Sequence, residues 1–321
     1  MCFATPCSSV GWGGCEVRSG VICGQPWEAL RGDSLDWLLD AGQPNLHWRV
    51  LVEVIGRPLD SPAVRRARGG ANAAEPVASL LGDLHPDGTW ATHLPTWAPY
   101  GGPGWRLIAA VQWGADPDDP RLHAASERLL ETVPGEGGLL RPRSTAPDPE
   151  LTARALQTMV CLGWRRHRRI QEWLAWLDEV PGWEDDPVVA TAVLGAVSDE
   201  LRPSLSERAV DGLGRIMSAS RGANFTTFGH PNLLRTDLAE MLSALAAARA
   251  PFDPRWRRCL KKLQHRQDPF GRWSRLAPVP RTLELPAPDQ PSRWVTLRAT
   301  RAILAYAVAG ELPRMFPYPP G

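Results

Sequence analysis

Two acidic clusters in this sequence have the spacing of carboxyl groups that could donate or accept protons. They are Asp116-Pro117-Asp118-Asp119 and Glu184-Asp185-Asp186. Neighbouring carboxylates raise the pKa of one another, which favours holding a proton near neutral pH. The first cluster continues into Pro120-Arg121, and Asp253 precedes the same Pro-Arg pair, so we interpret it as a loop and helix N-cap. In the second cluster Asp186 is a candidate catalytic residue, although helix N-termini attract carboxylates in any case.

A second candidate lies in the segment FTTFGHPNLLRTDL, residues 225–238. Proline is favourable at the first helical position, so Pro231 predicts a helix start with His230 as its N-cap. The positive helix end would then keep the imidazole neutral and able to accept or relay a proton. Arg235 and Asp237 would point about 200° apart, the first toward a cavity mouth and the second toward a neighbouring helix. We therefore predict His230 and Asp237 as catalytic candidates, the alternative being a cap and a brace.

Arginines and tryptophans recur in the first turns of helices that we expect to line the interior. Such arginines could bind a diphosphate or carboxylate head group, with the aromatic rings contacting an apolar tail. In the alternative, each arginine pairs with an inner carboxylate, such as Asp237 or Glu53, and braces the helices. The predicted ligand-binding residues are Arg49, Arg106, Arg154, Arg235, Arg298, Trp48, Trp105 and Trp294.

Composition excludes several classes of protein. The chain has 321 residues, of which 43% are hydrophobic and 22% charged, and its net charge is +1. This is a globular composition without the positive charge that favours nucleic-acid binding. No apolar run approaches the roughly 18 residues of a membrane span, and the N-terminus lacks the pattern of a signal peptide. We therefore predict a cytoplasmic protein with no transmembrane segment, and the sequence carries no signal for an oligomeric state.

Helices must position these residues, because few stretches have the alternation or the β-branched content of strands. In NLLRTDLAEMLSALAAA, apolar residues recur at helical spacing at Leu234, Leu238, Met241, Leu242 and Leu245. Proline stands at or just before eight predicted helix starts, namely Pro44, Pro76, Pro120, Pro149, Pro187, Pro231, Pro254 and Pro291.

The helices are organised as an internal repeat. Trp90, Trp183 and Trp273 each end a glycine-containing turn, at intervals of 93 and 90 residues. Further turns near residues 137–140 and 228 halve these intervals, which gives a unit of about 45 residues that suits two helices and two connectors. About six such hairpins fit between residues 34 and 310 and predict a closed ring of helical hairpins.

The turn QDPFGRW, Gln267 to Trp273, resembles the QW repeats of squalene–hopene and other terpenoid cyclases, whose α/α-toroid fold protein prenyltransferase β-subunits share. HPDGTWA is a degenerate copy with Leu84 in the glutamine position. The stretches WGADPDDPRLHAASERLLE and FDPRWRRCLKKLQHRQDPFGRW are also similar to bacterial single-domain proteins labelled terpene cyclase/mutase or prenyltransferase-repeat proteins.

The resemblance implies an all-α fold, a single α/α toroid, and an isoprenoid-handling activity. In this family the D-x-D-D motif donates a proton to an alkene, a role that we do not assign to Asp116–Asp119. The zinc-binding Asp-x-Cys of the prenyltransferases is absent, since Met159 precedes Cys161 and Arg257 precedes Cys259 at that spacing. We predict no metal and no cofactor.

The sequence thus predicts three regions: a flexible Cys/Gly-rich tail at 1–32, a toroid domain at 33–310 and a Pro-rich tail at 311–321. One functional hypothesis is a terpenoid-cyclase-like or prenyl-handling protein that binds an amphipathic or anionic small ligand in the toroid cavity. The alternative is a non-catalytic toroid that serves as a small-ligand or protein-binding scaffold.

Overall fold

The computed structural model describes residues 26–40, 42–132, 137–197, 202–219, 225–277 and 291–307, and within these the chain is all-α, without strands. The predicted tail residues 1–25 and 311–321 lie outside the described residues. Residues 26–32 belong to the helical body rather than to a tail: Ala29 and Leu30 are buried, and the side chain of Gln267 accepts a hydrogen bond from the Arg31 N–H.

Thirteen α-helices are present in the described residues. They are α1 (Ser34–Leu39), α2 (Pro44–Glu53), α3 (Pro62–Gly69), α4 (Val77–Leu81), α5 (Pro103–Gln112), α6 (Pro120–Thr132), α7 (Pro149–Cys161), α8 (Arg168–Glu179), α9 (Pro187–Ala196), α10 (Pro203–Ala219), α11 (Leu238–Ala247), α12 (Arg257–His265) and α13 (Arg293–Ala307). Short 3-10 helices precede or follow several of them. No described helix has the length and apolar character needed to cross a bilayer.

Local sequence signals explain where most helices begin. Proline is the first residue of seven of these helices, including α2 and α9, where its missing N–H leaves no hydrogen bond unmade. Asp148 and Asp186 cap α7 and α9 by accepting hydrogen bonds from backbone N–H groups of the first turn. The predicted helix start at Pro231 is wrong, because α11 begins at Leu238.

Buried and amphipathic helices alternate along the chain. The buried helices contact one another in order: α5 packs on α7, α7 on α9, α9 on α11, and α11 on α13, and α13 contacts α2. The amphipathic helices α6, α8, α10 and α12 each contact the buried helix that precedes them. The loop before α11 packs against the C-terminal end of α5, where Gln112 and Asn232 exchange two hydrogen bonds, and against Trp294 at the start of α13.

Two turns, at Trp90 and Trp273, have the same geometry. The indole Nε1 of Trp90 donates to the Leu80 carbonyl at 3.1 Å, and that of Trp273 donates to the Leu263 carbonyl at 3.0 Å. A glycine with positive φ stands two residues before each tryptophan, at Gly88 and Gly271. Both turns therefore share an indole hydrogen bond to a carbonyl of the preceding helix, α4 or α12.

Candidate functional site

The residue with the most unusual environment is His230, in the loop that precedes α11. Its side chain is almost fully buried, and its ring stacks on Trp294 of α13, with centroids 4.7 Å apart and an angle of 1° between the planes. Trp113, which follows α5, packs edge-on against the same imidazole at 4.4 Å. The loop is also bound to the segment that follows α12, because the Phe228 carbonyl accepts hydrogen bonds from the backbone N–H groups of Leu276 and Ala277.

The imidazole of His230 is neutral at physiological pH. Neither Nδ1 nor Nε2 has a hydrogen-bond partner among the described residues. Burial lowers its pKa well below the ordinary value, and the positive charges of Arg298, Arg275 and Arg49 lower it further. The sequence predicts a neutral ring because of a helix N-terminus. The ring is neutral because of burial and neighbouring arginines, which also makes it a weaker base than an ordinary histidine.

Asp237 is the N-cap of α11, which corrects the position predicted for both His230 and Asp237. Its carboxylate accepts hydrogen bonds from the N–H groups of Glu240 and Gly229, each at 2.9 Å, and from Asn232 Nδ2 at 3.1 Å. Burial raises the pKa of this carboxyl group, and Arg298 opposes the increase. Because Arg235 and Asp237 both lie before the helix, the predicted angle of about 200° between them does not apply.

Arg154 and Glu240 form a buried, two-pronged ion pair between α7 and α11. Arg154 Nη1 and Nη2 lie 2.7 and 3.1 Å from the two carboxylate oxygens, and Nη2 also donates to the Arg235 carbonyl. Burial acts to raise the pKa of Glu240, but the charges of Arg154 and Arg298 and the hydrogen bonds from Arg154 and Asn232 outweigh it, so the pKa is lowered. Arg154 therefore braces two helices, as the alternative interpretation of the arginines predicted.

Arg49 pairs with Glu53 within α2, and the same carboxylate is linked to α13 by Arg301. Arg49 Nη1 lies 2.7 Å from one oxygen of Glu53, and Arg301 Nη1 lies 3.0 Å from the other oxygen. Burial acts to raise the pKa of Glu53, but Arg49, Arg301 and Arg298 outweigh burial and lower it. One carboxylate is thus held ionised by several guanidinium groups.

Arg298, on α13, is the cation common to all of these groups. Its charge acts on the pKa of His230, Asp237, Glu240 and Glu53. Among the described residues its hydrogen-bond partner is a neutral acceptor, the Gly229 carbonyl at 3.2 Å. Arg235 likewise donates to a neutral acceptor, the Thr227 carbonyl. The side chains of Arg235 and Arg298 are only partly buried, so both positive charges remain partly accessible to solvent.

Several buried polar atoms beside these arginines also lack a hydrogen-bond partner among the described residues. They are both ring nitrogens of His230, Asn232 Oδ1, Thr236 Oγ1 and Trp113 Nε1. A buried polar atom without a partner is costly unless something else satisfies it. We call the group His230, Asn232, Arg235, Asp237 and Arg298 the His230 cluster.

The structure does not bring all of the predicted residues into this cluster. Trp294 stacks on His230, and Trp48 lies beneath Arg49 and donates to the Gly114 carbonyl at 2.7 Å. Arg106 instead faces Asp83 at 3.5 Å, while Trp105 packs against Trp97 and Tyr100. Asp186 accepts hydrogen bonds from the N–H groups of Val188 and Val189, which is a capping role.

The D-x-D-D segment has the structural role that the sequence predicted. Asp116 and Asp118 both pair with Arg68, and Asp119 accepts hydrogen bonds from Asn72 and Arg121. Burial acts to raise the pKa of Asp119, but these hydrogen bonds outweigh it and lower the pKa. Asp253 binds the backbone and side chain of Arg255 in the same way. A carboxyl group whose pKa is lowered in this way, as that of Asp119 is, is a poor proton donor.

Four residues around the site are not predicted from the sequence: Trp113, Asn232, Glu240 and Arg275. For Glu240 a signal existed, because Asp237 and Glu240 have the D-x-x-E spacing of a helix N-terminus. That spacing also marks the true start of α11. The other three have no local signal, since their roles depend on contacts between distant segments, such as the hydrogen bond from Arg275 to the His230 carbonyl.

Comparison with known proteins adds no assignment. No protein-family model matches the chain, and no curated protein matches its sequence. Within the described residues, no group of three or more His, Cys, Asp or Glu side chains could hold a metal ion.

Proposed function

We propose that the chain is a cytoplasmic α/α-toroid protein of the terpenoid-cyclase or prenyltransferase type that binds an amphipathic isoprenoid-type ligand at the His230 cluster. The reaction, if one follows, is unassigned. The observation that carries the proposal is Arg298, a partly buried cation with a neutral partner, next to a neutral histidine between two tryptophans. The alternation of helices and the matching turns at Trp90 and Trp273 support the toroid part of the proposal.

The cluster has the parts that an amphipathic ligand requires. Arg298 and Arg235 would bind an anionic head group through charge-assisted hydrogen bonds. The unpartnered nitrogens of His230 would supply one donor and one acceptor to a hydroxyl or phosphate oxygen. The indoles of Trp113 and Trp294 would contact the first apolar atoms of the tail.

Titration calorimetry and thermal shift with farnesyl diphosphate, farnesol and inorganic pyrophosphate test this proposal. We expect farnesyl diphosphate to bind more tightly than either part alone. Arg298→Gln should weaken binding about 10-fold to 100-fold, since one hydrogen bond to a charged group contributes about 1.5–3 kcal/mol. Arg106→Gln is the matched control, because Arg106 pairs with Asp83 and should leave affinity unchanged.

A second candidate function is a non-catalytic scaffold, and the ion pairs favour it. Arg154 pairs with Glu240 between α7 and α11, and Arg49 pairs with Glu53 within α2, which supports a structural role for part of the arginine set. The two functions give different results in the same experiment. Absence of binding to all three probes, or equal binding by the Arg298→Gln and Arg106→Gln variants, would favour the scaffold.

A further inference from the structure

Helix α12, Arg257–His265, has one strongly basic face. Its buried side consists of Cys259, Leu260, Leu263 and Gln264. The remaining positions and the next residue are all basic: Arg257, Arg258, Lys261, Lys262, His265 and Arg266. No Asp or Glu occurs between Asp253 and Asp268, and the two lysines are the only ones in the chain. Since the net charge of the whole chain is only +1, this charge is concentrated locally.

Three of these cations are exposed and have no ion pair within the part of the chain that the structure describes: Arg258, Lys261 and Arg266. Arginines on the neighbouring surface are paired instead. Arg255 contacts both Asp211 and Asp253, and Arg215 contacts Asp185. Within the described residues, the charges of Arg258, Lys261 and Arg266 are therefore not paired with carboxylates, unlike those of the adjacent Arg255 and Arg215.

An exposed aromatic ring stands beside this helix. Phe270 lies in the turn that follows α12, and 58% of its surface is exposed. The turn is fixed: Asp268 accepts hydrogen bonds from the N–H groups of Phe270 and Arg272, and a Cβ at Gly271 would lie 1.9 Å from the Arg31 carbonyl oxygen. Phe270 is therefore exposed on a turn that its own hydrogen bonds and close packing against Arg31 hold in place.

We propose that α12 and Phe270 form a docking surface for an anionic lipid bilayer. The cations extend over about half of the helix circumference at 100° per residue. This convex arrangement faces many separated negative charges better than it encloses a single anion. A basic amphipathic surface with an adjacent aromatic ring is the composition that binds the headgroup region of anionic membranes. The observation is independent of the His230 cluster and does not rest on the function proposed there.

Sedimentation of the full chain with phosphatidylcholine vesicles, with and without 30% phosphatidylglycerol, tests the proposal. We expect binding only to the anionic vesicles, and its loss at high salt, where charges are screened. Each cation near such a surface contributes about a fivefold factor in binding, so Arg258→Gln with Lys261→Gln should weaken binding about 25-fold. Arg65→Gln with Arg66→Gln is the matched control, because it removes two exposed arginines from α3.

Phe270 gives a second readout that charge alone would not change. Phe270→Ala should weaken vesicle binding, whereas Leu94→Ala, which removes another exposed apolar side chain, should not. Circular dichroism confirms that each variant is folded. Equal binding to neutral vesicles, no binding to either kind, or equal loss in the α3 and α12 variants would overturn the proposal. Binding to polyglutamate without binding to vesicles would overturn it in favour of an acidic protein partner.

Discussion

The imidazole of His230 stacks on the indole of Trp294, with the ring centroids 4.7 Å apart and an angle of 1° between the ring planes. This contact joins the loop before α11 to the first turn of α13. Trp113 completes the packing from α5, so three distant segments share one aromatic contact. The stack buries a titratable ring whose nitrogens have no partner in the described residues, an arrangement that apolar packing alone would not require.

Replacing His230 with phenylalanine should preserve stability at pH 7.5 while altering its pH dependence. The aromatic packing is kept and no described hydrogen bond is lost, so we expect a change within about 1 kcal/mol. In the wild type the folded-state pKa lies below the unfolded value. The unfolded chain therefore takes up a proton first, and the stability associated with neutral His230 is lost as the pH falls below about 6.5.

Urea unfolding of the wild type and the His230→Phe variant at several pH values between 7.5 and 5 measures this difference. The variant should lose less stability than the wild type across that interval. An identical loss in the two proteins would show that His230 does not contribute to the pH dependence.

Breaking the Arg154–Glu240 pair should be strongly destabilising. Arg154→Met leaves the buried Glu240 carboxylate without its main partner, and we expect a loss of about 3–5 kcal/mol in the free energy of unfolding. The double variant Arg154→Met with Glu240→Leu should lose less than the single variant, because neither charge of the pair is left buried without the other. Chemical denaturation of both variants measures the difference, and a double variant less stable than Arg154→Met would contradict this account.

The Arg154–Glu240 pair also predicts that the stability of the fold decreases at acidic pH. The folded-state pKa of Glu240 is lowered, so the stability that its ionised form provides is present above the unfolded value near 4.5 and is lost as the pH falls through the folded-state pKa. Removing both partners should reduce this acid sensitivity, which thermal melts between pH 5 and 3 would detect.

Glycines of the tryptophan turns should differ in their tolerance of alanine. A Cβ at Gly271 would lie 1.9 Å from the Arg31 carbonyl oxygen, and one at Gly88 would lie 2.4 Å from backbone atoms of Ala124 and Ala125. Gly182 also has a positive φ, but a Cβ there would meet nothing within 4 Å. Gly182→Ala should therefore cost only the backbone strain of about 1–2 kcal/mol, and Gly271→Ala should cost clearly more in thermal melts. Equal losses of stability in the Gly182→Ala and Gly271→Ala variants would contradict the close approach of Gly271 to the Arg31 carbonyl.

Removing the acids of the D-x-D-D segment should affect stability rather than ligand binding. Asp116 pairs with Arg68, and Asp119 pairs with Arg121, so Asp116→Asn and Asp119→Asn should lower the melting temperature. Their affinity for farnesyl diphosphate should equal that of the wild type, in contrast to Arg298→Gln. Loss of binding or turnover without loss of stability would assign these acids to the site after all.

Much of the secondary structure follows from local sequence. Pro44, Pro149 and Pro187 begin helices as predicted, because proline's fixed φ and missing N–H suit the first helical turn. The Asp-Pro-Arg segments at Asp119 and Asp253 form the same side-chain contacts, since these bonds link residues only two apart. The prediction of a helix start at Pro231 was wrong because proline is also compatible with extended loops. The D-x-x-E spacing from Asp237 marks the start of α11 better.

The site itself was decided by tertiary structure. The sequence pointed to His230 and to the arginines, but it could not distinguish Arg154, which is fully buried against Glu240, from Arg298, whose described partner is a carbonyl. Nor could it place Trp113 against His230, because this contact joins segments more than a hundred residues apart. Pairing, burial and pKa depend on which charges approach through space, and only the packing of the helices determines that.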